Sequence, residues 1–217
     1  MLSRRISLAF SLVACVLASH GVRAQAPAVE SPRWTYEIRG AYFEPDLEQF
    51  ETFYGGDTDS YLAIAGTYRL RDWLELGGEY GLMKETGVGL LTESGTLGGT
   101  VELRLDPVQV FSNFIFQRSV EQRVVPYVGA GLMVMRYEQK VGFQDDIEGR
   151  TDAGWSARAG VRFRIKTHEP ARTASSSSPY WRALVFLEAQ HMSAQVDDID
   201  LGGDAVVVGF RMEFDLN

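Results

Sequence analysis

Residues 153–165 leave this chain little choice of fold. Ala153, Trp155, Ala157, Ala159, Val161, Phe163 and Ile165 are apolar, and Gly154, Ser156, Arg158, Gly160, Arg162 and Arg164 stand between them. Successive side chains change face on a strand but recur every 3.6 residues on a helix, so only a strand sorts these residues. The last segment, 204–216, repeats the pattern. Val206, Val208, Phe210, Met212, Phe214 and Leu216 share one face, and Gly209, Arg211, Glu213 and Asp215 lie on the other. A strand like this is an aggregation hazard at an open edge. Closing it against the first strand removes the edge.

The same period of two returns along the rest of the chain. It runs through 34–43 (Trp34, Tyr36, Ile38, Tyr42 against Glu37 and Arg39), 62–70, 74–82, 97–116, 126–137 and 181–193. At Asp106-Pro107 the apolar set changes parity, from Val101, Leu103 and Leu105 to Val108, Val110, Phe114 and Phe116. Proline donates no ladder hydrogen bond, so a β-bulge is expected there; a true turn would give one strand more. A bulge leaves eight strands, each near the length of a tilted membrane strand. The expectation is an all-β chain folded as an eight-stranded antiparallel up-and-down transmembrane β-barrel, although a soluble sandwich shows the same alternation. Trp34, Tyr42, Tyr80, Phe116, Trp155 and Trp181 fall toward strand ends, as interfacial girdles do.

Residues 1–24 read as an export signal. Arg4 and Arg5 precede an apolar run, and Val22-Arg23-Ala24 fits the small-residue cleavage rule. The run is too short to span a membrane as a helix. Cys15, the only cysteine, lies inside it. Leu12-Val13-Ala14-Cys15 also fits a lipoprotein pattern, but the apolar run continues past it and suits cleavage after Ala24 better. Loss of Arg4, Arg5 and Arg23 takes the net charge from −8 to −11. That balance argues against nucleic acid, which needs a basic footprint. Residues 25–32 form a short lead-in and 33–217 the barrel. With the N-terminus in the periplasm, outer loops fall at 45–60, 84–96, 139–151 and 194–203. Inner turns fall at 71–73, 118–125 and 167–180.

An eight-stranded barrel has room inside only for side chains. The oily face therefore meets lipid and the charged face fills the lumen. That places Glu37, Arg39, Arg69, Glu75, Glu79, Glu102, Arg104, Arg158, Arg162, Arg182, Glu188, Arg211 and Glu213 inside. Buried charges persist only when paired, so these residues are expected to plug the lumen as Arg–Glu networks. A narrow polar pathway is the rival reading. The outer loops carry Asp57, Asp59, Asp145, Asp146, Glu148, Asp152, Asp197, Asp198, Asp200 and Asp204. Divalent cations are candidate partners of these carboxylates, though the spacing fits no complete calcium loop. No metal site and no cofactor is expected.

Three stretches carry resemblances. Residues 126–132 (Pro-Tyr-Val-Gly-Ala-Gly-Leu) and the segment from Asp198 to Phe214 are similar to the mid-barrel strand and closing hairpin of small OmpA- and OmpW-like outer-membrane barrels. This likeness implies fold and location in the outer membrane of a Gram-negative-type bacterium. It also implies contact with outer-membrane lipids and lipopolysaccharide. Gly209, Met212 and Phe214 resemble the C-terminal signal read by the barrel-assembly machinery, although Asp215, Leu216 and Asn217 follow the phenylalanine. Finally, His191-Met192-Ser193 puts a base and a nucleophile on one outward face, with Asp204 next on the neighbouring strand. It resembles the His-x-Ser of PagL-type lipid A deacylases, whose acid is Glu and whose Ser is followed by Asn; here those are Asp204 and Ala194. The functions in play are a plugged barrel that is structural or binds through its loops, an OmpW-like pathway for small hydrophobic solutes, and a lipid A acyl-ester hydrolase.

Overall fold

The first strand pairs with the last. In the computed structural model Trp34 faces Phe214 and Pro45 faces Gly203 along an unbroken antiparallel register. The structure describes residues 32–46, 59–88, 100–119, 122–141, 146–168, 181–196 and 199–215. The expected export signal at 1–24 and residues 169–180 lie outside them. The strands are β1 (Trp34–Pro45), β2 (Asp59–Arg71), β3 (Leu74–Val88), β4 (Thr100–Ile115), β5 (Val124–Val141), β6 (Ile147–Arg150), β7 (Gly154–His168), β8 (Trp181–Ser193), β9 (Gln195–Val196), β10 (Ile199–Asp200) and β11 (Gly203–Phe214). Eight long strands among them, β1, β2, β3, β4, β5, β7, β8 and β11, follow one another around the wall, and β4 pairs with β5 to complete it. The fold is a closed, eight-stranded antiparallel β-barrel.

Its outer surface is the inverse of a soluble protein's. Ile38, Leu62, Val110, Leu132, Ile165, Leu187 and Val208 are each half exposed or more. A continuous apolar belt of this kind is tolerated only against lipid. Aromatic side chains mark its lower edge, where Trp34 packs on Tyr68 at 4.8 Å and Trp73 on Phe114 at 5.3 Å between ring centres. Both described chain ends lie at this lower end. At the far end all four expected loops are partly strand: β1 ends at Pro45 and β2 begins at Asp59. β3 runs on to Val88, β6 pairs back on β5, and β9 with β10 makes a two-residue ladder.

The expected bulge at Asp106-Pro107 is absent. β4 keeps one register against β5 from Val101↔Val141 to Ile115↔Tyr127, with Pro107 opposite Met135. The physical reason is Gly81. The β3–β4 ladder skips only the pairs at Gly81 and Leu82, and a Cβ on Gly81 would stand 2.8 Å from the Pro107 ring. A missing side chain therefore absorbs the proline, and no extra residue is needed. Odd positions of β4 point inward over its whole length. What changes at Pro107 is the surroundings: above it the strand has left the lipid belt.

This corrects two expected lumen residues. Glu102 and Arg104 lie on the outside. Glu102 takes Lys84 at 2.9 Å and Arg104 takes Asp106 at 3.0 Å, in pairs that are 36–61% and 12–44% exposed. In their place Val101, Leu103 and Leu105 point inward, buried to 3%, 6% and 1% exposure. Leu103 and Leu105 belong to an apolar layer with Phe43, Tyr61, Met83, Met133, Met135, Met192, Ala194 and Leu201 in the far half of the barrel. Unbranched methionines suit such an irregular space.

Candidate functional site

Below the apolar layer the lumen is charged. Arg39 pairs with Glu37 at 2.7 Å, with Glu79 at 3.2 Å and with Glu188. Arg158 reaches Glu79 at 3.3 Å, and Arg162 reaches Glu75 at 2.9 Å. Arg211 binds Glu37, Glu75 and Glu213 at 2.6, 2.5 and 2.9 Å. Arg69 holds Glu75 and Glu213, and Arg182 lies 3.8 Å from Glu213. All eleven side chains join one connected network, and none is more than 5% exposed. Alternation on β1, β2, β3, β7, β8 and β11 aims them at a common axis.

Neutral groups complete the network. The Tyr127 hydroxyl donates to Glu188 at 2.7 Å, and Gln109 links Glu79, Ser156 and Arg158. Arg158 and Arg162 lie 3.9 and 4.2 Å from the ring centres of Phe111 and Tyr127. Glycines make room for this. A Cβ on Gly129 would meet the Asn113 side chain at 2.2 Å, and one on Gly160 the Tyr127 hydroxyl at 2.6 Å. Sequence reading passed over Gln109 and Tyr127; their inward parity beside Phe111 and Gly129 was the available signal.

The second site is on the far rim, outside. Period two on β8 puts His191 and Ser193 on the outer face. The β8–β11 register sets Asp204 directly opposite His191. His191 Nδ1 lies 2.9 Å from Asp204 Oδ1, both side chains about one-third exposed. The ring also packs against Trp155 at 5.1 Å between centres. A carboxylate on Nδ1 fixes the ring and leaves Nε2 facing away. Ser193 goes elsewhere: its hydroxyl donates to Asp200 Oδ2 at 2.9 Å. Asp200 Oδ1 accepts from the Ala194 and Gly202 amides at 2.9 and 2.8 Å. The structure thus joins His191 to Asp204 and ties Ser193 into the loop. The sequence alone marks Asp200 as one loop carboxylate among several.

The electrostatics follow this wiring. Burial alone would raise the Asp200 carboxyl, but the Ala194 and Gly202 amides and the Ser193 hydroxyl outweigh it and hold the group below its usual range. Asp46, just past β1, goes the other way. Its burial, together with the nearby Asp204 and Asp200 carboxylates, raises it, although His191 pulls in the opposite direction. Asp57, Asp145, Asp197 and Asp198 lie outside the described residues. Among the described residues no three acidic or histidine side chains gather as a metal would require. The C-terminal triad divides by face. Gly209 points inward beneath Phe186, Met212 is exposed on the belt, and Phe214 ends β11 between Trp34 and Trp181.

A closed antiparallel barrel with a lipid-facing belt is an outer-membrane β-barrel. Solved structures share the fold: Neisserial surface protein A superposes with a TM-score of 0.51 at 14% identity, over 83% of this chain and 96% of that one. Ail of Yersinia pestis matches at 12% identity over 84% and 99% of the two chains, with a TM-score of 0.45. OprG of Pseudomonas aeruginosa matches at 14% identity over 86% and 98%, with a TM-score of 0.46. No protein-family model matches the chain, and neither does any curated protein. The likeness is one of fold.

Proposed function

We propose that this chain is a non-conducting barrel that acts at its outward rim and not through a pore. One observation supports this reading: buried side chains point into the described barrel at both levels. An ion-paired layer occupies the half near the termini, and the apolar layer around Leu105, Met133 and Met135 occupies the far half. A water-filled path needs gaps in both, and a pathway for hydrophobic solutes needs a gap in the second. Conductance of the purified protein in a planar bilayer tests this. Silence at all holding potentials is the expected result, and reproducible open steps would overturn it. On this reading the partners are outer-membrane lipids and lipopolysaccharide around the belt. The barrel-assembly machinery reads the end of β11.

The His191–Asp204 contact favours a second reading, hydrolysis of a lipid acyl ester at the outer leaflet. Asp204 orients His191, whose Nε2 takes the Ser193 proton as Ser193 Oγ attacks the ester carbonyl. The alcohol leaves with that proton, and water then releases the acyl group from Ser193. For this Ser193 must exchange Asp200 for His191, and the Ala194 amide must come free to hold the oxyanion. The test is the mass of lipid A in a host of defined lipid composition expressing the folded protein. Loss of an acyl chain that vanishes in Ser193→Ala supports hydrolysis. An unchanged mass leaves His191 and Asp204 as a structural rim pair.

A further inference from the structure

Above the lipid belt, the outer face of β4, β5 and β6 carries a level of charged residues at which Asp106 faces Arg136 and Arg136 faces Arg150. One level farther out, Arg104 faces Glu138 and Glu138 faces Glu148. Most of these charges are spoken for. Arg104 takes Asp106 at 3.0 Å, Lys140 takes Glu138 at 2.9 Å and Lys84 takes Glu102 at 2.9 Å. Arg136 and Arg150 have no ion pair among the described residues, and both are exposed. Two like charges directly opposite across a ladder repel. A strand pair that keeps them there invites an anion between them.

Their height narrows the choice of anion. Below Arg136 on the same face of β5 come Val134 and then Leu132, 64% exposed, with Trp155, 49% exposed, opposite Leu132 on β7. Val108 and Tyr80 continue this apolar edge across β4 and β3. The arginines therefore stand roughly 7 Å of strand above Val108 and Tyr80, and roughly 13 Å above Leu132 and Trp155. A groove of about 430 Å³ opens there, lined by Arg104, Asp106, Arg136, Glu138, Glu148 and Arg150 among others. Glu138 and Glu148 line its outer side and Asp106, held by Arg104, its β4 side, so the Arg136–Arg150 side nearer the belt is where an anion meets the least repulsion.

We propose that Arg136 and Arg150 bind the phosphate of an outer-leaflet lipid headgroup, with its acyl chains lying along Leu132 and Trp155. Guanidinium forks match phosphate oxygens two at a time and hold them more firmly than a lysine would. A free phosphate would satisfy the arginines but make no use of the apolar edge beneath them. A lipid uses both. The proposal rests on the outer-membrane reading of the barrel and on the far end facing outward.

The test is native mass spectrometry of the full-length protein in detergent micelles titrated with diphosphoryl lipid A. Folding is followed separately by heat-modifiable migration on a gel. The double variant Arg136→Gln/Arg150→Gln is compared with Arg118→Gln, an exposed arginine at the opposite rim. Loss of two charge-assisted contacts predicts lipid binding weakened by about tenfold or more in the double variant, with Arg118→Gln unchanged. Lipid A stripped of its phosphates should bind wild type and double variant equally weakly. Wild-type affinity in the double variant overturns the proposal. So does an equal loss in Arg118→Gln, or displacement of the lipid by inorganic phosphate, which would reassign the site to the free anion. Should the double variant not fold, Arg150→Gln alone carries the same comparison, because Arg150 is exposed on the four-residue β6, which pairs only with the upper end of β5. A wild-type chain with no heat-modifiable band refutes the barrel itself, a different result from a folded barrel that ignores phosphate.

Discussion

Glu75 is the keystone of the lumen and the sharpest place to test how the barrel is held. It is fully buried and meets Arg69, Arg162 and Arg211 at 2.9, 2.9 and 2.5 Å. Glu75→Gln keeps the shape and one oxygen acceptor but removes the charge. The six arginines of the network then face four carboxylates in place of five. Breaking a buried pair by deleting one partner costs about 3–5 kcal/mol. Glu37 and Glu213 still reach Arg211, so the lower end of that range is expected, about 3 kcal/mol. Glu102→Gln is the internal control: it removes an exposed pair with Lys84, worth about 0–1 kcal/mol. Adding Arg162→Met to Glu75→Gln should recover part of the loss, since an apolar replacement of a buried pair is often close to neutral. Urea unfolding from phospholipid vesicles, followed by tryptophan fluorescence, reads all four proteins on one scale. If Glu75→Gln loses no more than Glu102→Gln, the network does not hold the barrel and the reasoning fails.

Four further outcomes follow from the same geometry. Leu105→Ala, at 1% exposure in the apolar layer, should cost about 2–5 kcal/mol in the same urea assay. Gly160→Ala forces a methyl against the Tyr127 hydroxyl and should cost about 1–3 kcal/mol, measured in the same way. Val110→Arg puts a charge on the lipid face of β4 and should cost about 2–4 kcal/mol, whereas Arg104→Gln above the belt should leave the urea midpoint close to that of wild type. Asp200 has a lowered carboxyl, so the loop stability it contributes is present above the ordinary value of 3.8 and is lost as the pH falls below it. The amide proton shifts of Ala194 and Gly202 should therefore titrate with a midpoint below 3.8, and a higher midpoint would contradict the wiring.

The strand pattern was legible from the residues because alternation is a local property. Residues 153–165 can sort their side chains in only one way, and each of the eight segments repeats that argument. Closure of the first strand on the last, and the lumen positions of residues such as Arg39, Glu75 and Arg211, follow from parity plus the narrowness of an eight-stranded barrel. Parity says which residues share a face, but not what that face meets. Glu102 and Arg104 sit on the lipid-side face of β4 and yet never touch lipid, because β4 continues past the belt into water. There the same alternation carries the opposite chemistry, oil inside and charge outside. β3 and β5 invert at the same level, with Lys84 and Arg136 turned outward and Met83 and Met135 turned inward. That level is fixed by the registers between neighbouring strands, and Pro107 keeps its register only because Gly81 comes to lie beside it. The rim site divides in the same way. Two-residue spacing put His191 and Ser193 on one face, but the β8–β11 register gave His191 its partner Asp204. The fold of the 194–203 loop turned the Ser193 hydroxyl to Asp200. Local periodicity belongs to the chain; height and partners belong to contacts between residues far apart in it, and only the closed barrel sets those.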